Sequence, residues 1–405
     1  MRTALGALVA MLVAVAGTTQ PAQAATTPPQ VGLVSFVAAS YSRTTGTAGL
    51  TIDWPDTSHA TTYQVYISRS YSMAGARRYS VSRSTKTFTG LRRGANYFVQ
   101  VRALNRGTAG KKSVRVGHTT ILRMNPGTGP TYRVMTYNLC SEKCKGWSTR
   151  QPAALGRVRA YAPDVIAAQE AVDLQVSAVT GYAEAMSMSS KRLLYKTSRF
   201  TLAPPTTPIS ARPGKESHGC YTSWPQSTKG YVFLGYHGAG CRYAVWAVLV
   251  DKATGDQTVF VDVHTVSGAS DTAAKQRAVE ITTLTQQIAQ LNAQTNLPVI
   301  YAGDFNSHKN RDNDDLRIVL HHQGYYDAYD LALTLRRQHY NSYNDFRTRP
   351  RISYTWGDHV DHVWIRPDEG RVLSWSNGAL IRGNRMVTPI PSDHSPIITD
   401  VRINR

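Results

Sequence analysis

Hydrophobic and polar positions follow two different rhythms along this chain. Between residues 31 and 120, short apolar–polar alternations are broken by Gly, Ser and Asn: Gly49–Trp54, Thr62–Ser68, Thr85–Gly90, Ala95–Leu104 and Ser113–Thr119. A period of two with turn residues at that spacing predicts an all-β sandwich. From Tyr132 the rhythm changes. Arg133–Leu139, Val165–Glu170, Arg242–Asp251, Thr258–His264, Pro298–Asp304, Val360–Arg366 and Ser395–Val401 read as strands; Pro152–Tyr161 and Ala273–Ala293 read as helices. Such a mixture predicts an α/β (α+β) sandwich of two packed sheets covered by helices. A Pro/Thr linker (ATTPPQ, 25–30) precedes the first region, and a Gly/Pro hinge (ILRMNPGTGPT, 121–131) separates the two.

Composition adds a compartment and a charge. With 41% hydrophobic and 18% charged residues over 405 positions, the bulk reads as two globular domains. A basic start at Arg2, the apolar run Ala4–Gly17 and the small-x-small site Ala22-Gln23-Ala24 predict a signal peptide over 1–24, hence a secreted, extracellular chain without stable membrane insertion. Four cysteines allow three pairings. An oxidising exterior favours disulfides over zinc, and the sequential pairs Cys140–Cys144 and Cys220–Cys241 are the expectation. The formal net charge is +20, and residues 26–120 hold 13 Lys/Arg against only Asp53 and Asp56. That surplus favours polyanionic partners: nucleic acid, or cell-surface and extracellular polymers met by the basic N-terminal region.

The candidate chemistry sits where apolar runs end. Asn138, Glu170, His264, Asp304 and Asn306 each close a strand-like run, with Asp361, Asp393 and His394 at strand edges. Buried strands that end in acids, amides and imidazoles imply one shared rim. Carboxylate and amide oxygens suit a hard cation such as Mg²⁺, and imidazoles handle protons near neutral pH. His362 follows Asp361 directly, so period-two alternation turns it to the other side of the strand. His308, His321 and His322 read as ordinary polar positions, and His359 as a turn residue.

MTYNL (135–139), PDVIAAQE (163–170), VFVDVHT (259–265), VIYAGDFNS (299–307), VDHVWIRP (360–367) and SDHSPI (392–397) together resemble the endonuclease/exonuclease/phosphatase (deoxyribonuclease I-like) superfamily, in the family's order. The resemblance implies a four-layer sandwich over 132–405 and metal-dependent cleavage of phosphate esters. It implies Glu170 as the main metal ligand, supported by Asn138 and Asp393, with Mg²⁺ (or Mn²⁺ or Ca²⁺) as the ion. His394, oriented by Asp361, would sit by the attacking water. Asp304 and Asn306 would hold the nucleophile and a phosphate oxygen; His264 would bind the phosphate or protonate the leaving group. One departure concerns His264. The nuclease branch supports it with a Glu, whereas the matching stretch Ser189–Leu194 offers Lys191 and Arg192, leaving Glu216 as a substitute from a loop.

Trp54, Tyr63, Leu91 and Tyr97 resemble the core landmarks of a fibronectin type III module over 31–120, which implies a spacer or adhesion module without catalytic residues. Three features point the substrate towards DNA or RNA: the charge, the basic aromatic arm Arg336–Arg351, and Arg242, which opens a strand where the family often places a phosphate-contacting Arg. Alternatives are a sphingomyelinase or phospholipase C-type enzyme, for which Tyr221–Tyr236 would be the membrane-docking hairpin, another phosphatase of this fold, and a catalytically dead polyanion-binding protein.

Overall fold

Alternation in the first hundred described residues produces two antiparallel groups of strands. Ser35–Ser42, Thr47–Asp53 and Thr85–Leu91 form the far end of a ten-stranded sheet, joined to Thr334–Arg336 through Ser35–Ser42; Thr62–Ser68, Arg77–Val81 and Asn96–Asn105 form a separate sheet, extended by Thr108–Ala109 and Val116–Thr119. Their inward residues include all four landmarks, Trp54, Tyr63, Leu91 and Tyr97, each buried. Trp54 meets Tyr63 edge-on at 5.3 Å, and the Arg92 N–H donates to the Tyr97 hydroxyl at 3.0 Å. The computed structural model describes residues 25–124, 127–237 and 240–404. The predicted leader, 1–24, lies outside the described residues. Among the described residues no helix is long and apolar enough to cross a membrane.

The remainder is a mixed α/β sandwich of two large sheets. One orders Tyr182–Met188, Lys191–Lys196, Val165–Gln169, Thr131–Asn138, Ile397–Ile403, Gly370–Asn377 and Thr334–Arg336. The other orders Trp224–Pro225, Lys229–Tyr236, Cys241–Asp251, Gln257–His264, Val299–Asp304, Asp361–Ile365 and Tyr326–Asp327. Val134, Val165, Leu193, Val245, Phe260, Ile300 and Val363 pack between them. Helix Trp147–Tyr161 covers the outside of the first sheet through Ala154 and Val158. Helices Asp271–Asn292 and Asp315–His322 cover the second through Ile281, Leu284, Ile288, Leu316 and Leu320. Apolar contacts on both faces explain why these strands read as continuous hydrophobic runs.

Local chemistry sets the helix ends. The Ser270 side chain accepts from the Ala273 N–H and Asp271 occupies the first turn, a capped start to Asp271–Asn292. Helix Trp147–Tyr161 starts earlier than the sequence pattern predicts, with Pro152 inside it. The missing proline N–H forfeits one backbone bond, and burial of Ala154 and Val158 outweighs that loss. Ala162 ends it in the left-handed region, ahead of Pro163.

The expected spacer and hinge need correction. The N-terminal strands share one core with the sandwich. The Ala39 N–H donates to the Leu333 carbonyl at 2.8 Å, His339 Nε2–H donates to the Val34 carbonyl at 3.0 Å, and the Gly117 N–H donates to the Tyr354 carbonyl at 3.2 Å. His118 lies against Tyr329, with ring centres 4.9 Å apart. The Gly/Pro segment is tied down as well, with the Gly129 N–H on the Ile403 carbonyl at 2.9 Å.

Candidate active site

Strand register brings the polar ends together. Parallel pairing sets Asn138 beside Gln169 and His264 beside Asp304; antiparallel pairing sets Asp361 opposite Asp304. The two sheets meet at this rim, where Asn138 Nδ2 donates to Asp304 Oδ2 at 3.0 Å. Glu170 follows its strand with φ 46°, and Asn306 has φ 49°. Left-handed backbone costs a non-glycine residue roughly 1 kcal/mol, and such strain persists where surrounding contacts over-determine the shape. For Asn306 those contacts are its N–H donating to Asp304 Oδ1 at 2.9 Å and its Nδ2 donating to the Thr265 carbonyl at 3.1 Å.

His394 is held from two sides. Its Nδ1 bonds Asp361 Oδ2 at 2.9 Å, and its Nε2 stands 3.8 Å from Asp304 Oδ2. Burial alone would lower this imidazole, but the Asp361 and Asp304 carboxylates outweigh it and push it up to about 10. Burial raises the Asp304 carboxyl to about 6, with Asp361 adding to the rise and His394 opposing it. His394 therefore rests as an imidazolium at neutral pH. A divalent cation among these carboxylates acts in the opposite direction.

His264 is the contrary case. Its Nε2 lies 3.6 Å from Asp304 Oδ2 and 3.9 Å from Glu170 Oε1, and no described group bonds its Nδ1. Burial, then the charges of Lys191, Arg242 and Lys143, hold it well below the usual imidazole range. Lys191 is only 2% exposed, and burial followed by Arg242 lowers its ammonium to about 8. Among the described residues no carboxylate bonds the His264 Nδ1. Glu216 pairs with His218 at 2.9 Å in its own loop, and Asp262, raised well above normal by burial, accepts from Gln169 Nε2 at 2.6 Å.

The two disulfides form as expected, Cys140–Cys144 and Cys220–Cys241. The small loop closed by the first carries Lys143, whose Nζ lies 3.1 Å from Glu170 Oε1. Arg150 is buried beneath it and donates to the carbonyls of Cys140 at 2.8 Å, Cys144 at 3.0 Å and Pro391 at 2.7 Å. It thereby clamps the disulfide loop to the Ser392–His394 turn. The Asp393 carboxyl is raised by burial and, though His394 opposes this, by nearby Glu170. Sequence reasoning missed Lys143 and Arg150. The one available signal was a lysine fenced by two cysteines directly after MTYNL.

Two groups have metal-ligand spacing among the described residues: Asp304, Asp361 and His394, and Asp393 with Cys140 and Cys144. The cysteines are oxidised and offer no thiolate. What is left is hard oxygen: the Glu170 carboxylate, the Asp393 carboxylate that feels its charge, and, at the end of the neighbouring strand, the Asn138 amide oxygen, which accepts from the Cys140 N–H at 3.1 Å. That donor set fits a divalent cation of the oxygen-preferring kind.

Other expectations divide. His362 turns away from the rim, as alternation predicts, and bonds Asp327 at 2.7 Å and the Ser307 carbonyl at 2.9 Å. His359 is no turn residue on the surface; it is buried between Tyr329 and Trp375. Arg336–Arg351 is no free arm. Tyr340 bridges to Ile352, Asp345 pairs with Arg347 at 3.4 Å and Arg351 at 3.0 Å, and the Tyr343 ring lies 5.2 Å from that of His394. Arg242 opens strand Cys241–Asp251, half-buried, with its charge felt at His264.

The family model for the endonuclease/exonuclease/phosphatase family matches residues 135–394. No curated protein matches the chain. Among solved structures, an endonuclease/exonuclease/phosphatase family protein from Bacteroides thetaiotaomicron is similar at 20% identity and a TM-score of 0.51, over 68% of this chain and 98% of that one. A mannosyl-6-phosphatase from the same organism is similar at 20% identity and 0.51, over 67% and 99%. A Bacteroides vulgatus protein of the same family name has 18% identity and 0.50, over 68% and 100%. With the family match spanning well over half of the sequence and the strand ends converging as described, this chain belongs to the endonuclease/exonuclease/phosphatase family.

Proposed function

We propose that the chain is a secreted, Mg²⁺-dependent phosphodiesterase that hydrolyses nucleic acid. The observation that carries the hydrolytic reading is the meeting of Asn138, Glu170, His264, Asp304, Asp361 and His394 at one rim between two sheets. Glu170, Asn138 and Asp393 would hold the cation, which when bound supplies a Lewis acid for a phosphate oxygen. Asp361 orients His394 so that Nε2 accepts a proton from the attacking water after the imidazolium has lost its own. Asp304 and Asn306 position that water and a phosphate oxygen. His264, neutral and with no carboxylate on its Nδ1 among the described residues, donates a hydrogen bond to the phosphate and is not the proton source for the leaving group. Lys143, Lys191 and Arg242 add positive charge where the transition state gathers negative charge.

Nucleic acid is favoured by the +20 charge and by the folded Arg/Tyr loop 336–351 beside His394. The lipid alternative has less support: of its hairpin Tyr221–Tyr236, Trp224, Tyr231, Val232 and Leu234 are buried, while Tyr236 is exposed. A phosphomonoesterase is the second reading, since three cations around His264 suit a dianion; likeness of fold does not choose between substrates. Residues 1–24 as a leader, 31–120 as a fibronectin type III-like module and 132–405 as the catalytic domain complete the proposal, with two disulfides supporting an oxidising destination.

The test is a panel of plasmid, single-stranded DNA, RNA, sphingomyelin vesicles and hexose 6-phosphate, each with Mg²⁺ and with EDTA. Mg²⁺-dependent strand cleavage is expected. Release of phosphocholine or inorganic phosphate with every nucleic acid intact would overturn the substrate choice.

A further inference from the structure

A groove of about 490 Å³ runs along the seam between the N-terminal strands and the loop that carries Tyr343. Tyr71, Val114 and Arg115 line one side; Asn310, Ser353 and Tyr354 line the other. Two of its lining residues are exposed tyrosines: Tyr71 is 59% exposed and Tyr354 38%. The Arg115 guanidinium lies 4.2 Å above the Tyr71 ring and makes no ion pair among the described residues. Beneath them Tyr71 meets Phe98 at 5.4 Å and Phe98 meets Trp356 at 5.5 Å, so the floor crosses from one domain to the other without a break.

Hydrogen bonds tie the groove wall to residues close in sequence to the rim. Asn310 donates to the Thr355 carbonyl and to Asp358 Oδ1, both at 2.6 Å, and His308 stands 3.4 Å from the same Asp358 oxygen, two residues beyond Asn306. On the rim itself Tyr343, 37% exposed, lies against His394 with Arg351 5.8 Å from its ring centre. An exposed tyrosine with an arginine over it thus occurs both in the groove and on the rim.

We infer that this groove is a binding site for single-stranded nucleic acid, which the N-terminal strands complete and which leads the strand to the catalytic rim. The inference rests on the reading of the rim as a nucleic acid hydrolase. Unpaired bases present flat faces to tyrosine rings and guanidinium planes, while cations hold the intervening phosphates. A duplex hides those faces and gains only the phosphate contacts. The occupant's negative charge is complementary to Arg115, the cation among the groove's lining residues. The rigid docking of the N-terminal strands makes Tyr71 and Arg115 part of the site at no ordering cost on binding.

The experiment measures fluorescence anisotropy of a labelled twelve-nucleotide oligothymidine with the full mature chain in EDTA, so that no turnover occurs. Tyr71→Ala with Tyr354→Ala is expected to weaken binding about tenfold or more, since each stacked base contributes substantially. Tyr71→Phe with Tyr354→Phe keeps the rings and is expected to bind within twofold of the parent. Arg115→Gln is expected to lower the salt slope by about one. Retention on heparin, which has phosphate-like charge but no bases, is expected to be unchanged by the tyrosine substitutions. Oligothymidine affinity within twofold of the parent in the double alanine variant would overturn the groove, as would an equal loss on heparin. A chain that binds through these rings yet cuts no nucleic acid would retire the hydrolase reading alone.

Discussion

At the scale of single residues, the account turns on two imidazoles with opposite surroundings. His394 faces Asp361 and Asp304 and is pushed up to about 10; His264 faces Lys191, Arg242 and Lys143 in a buried position and is pushed down. The sign has a consequence for the cation-free protein. A group raised above its unfolded value contributes stability that is complete below that value and is lost as pH climbs through the folded one. For His394 the window runs from about 6.5 to about 10. The melting temperature of EDTA-treated protein should therefore fall from about pH 6.5 to about 8, above which Lys191, lowered to about 8, gives up its proton more readily folded than unfolded and offsets the loss. Asp361→Asn, which removes the main carboxylate partner, should flatten the fall. An equally steep decline in the variant would show that His394 is not its source. Residue types at strand ends made this site legible in the sequence: Asn138, Glu170, His264 and Asp304 close apolar runs, and Asp361 and His394 sit at strand edges. Lys143 and Arg150 were not legible, because their roles depend on which carbonyls and carboxylates the folded loop turns towards them.

At the scale of elements, the Cys140–Cys144 loop deserves a direct test because it joins the end of strand Thr131–Asn138 to the Ser392–His394 turn through Arg150. A loop this short constrains the unfolded chain by only about 2 kcal/mol. Its larger effect is to fix Lys143 beside Glu170 and to hold the Asp393 turn. Cys140→Ser with Cys144→Ser should lower the melting point modestly and raise the Mg²⁺ concentration for half-maximal activity several-fold. An unchanged Mg²⁺ requirement would confine the disulfide to stability. The elements themselves were legible to differing degrees. Long apolar strands and the capped helix Asp271–Asn292 stand within a few residues of expectation. Tyr182–Met188 and Lys191–Lys196 were not foreseen, because YAEAMSM and KRLLYK have no strong strand pattern and are held by pairing with each other and with Val165–Gln169. Pairing partners distant in sequence override weak local preference.

At the scale of the whole molecule, the N-terminal strands act as part of the sandwich. Tyr329, Leu331 and Leu335 share a core with Phe36 and Val34, and Lys309 bonds both Asp330 and Thr119. Removing residues before Tyr132 uncovers those side chains and opens the edge of the strand Thr334–Arg336. The truncated chain should melt well below the full one and tend to aggregate, as exposed apolar faces and unpaired edges do. Equal melting temperatures would restore the picture of an independent spacer. Composition suggested two domains and could not reveal their docking, since a shared core looks in sequence like two separate ones.

The most direct measurement is single-stranded DNA cleavage followed through a Mg²⁺ titration, for the parent chain and for Glu170→Gln. The account predicts no cleavage in EDTA, saturable activation by Mg²⁺ in the parent, and a loss of at least about a thousandfold in Glu170→Gln with the fold intact. Cleavage that ignores EDTA, or a Glu170→Gln chain as active as the parent, would contradict it.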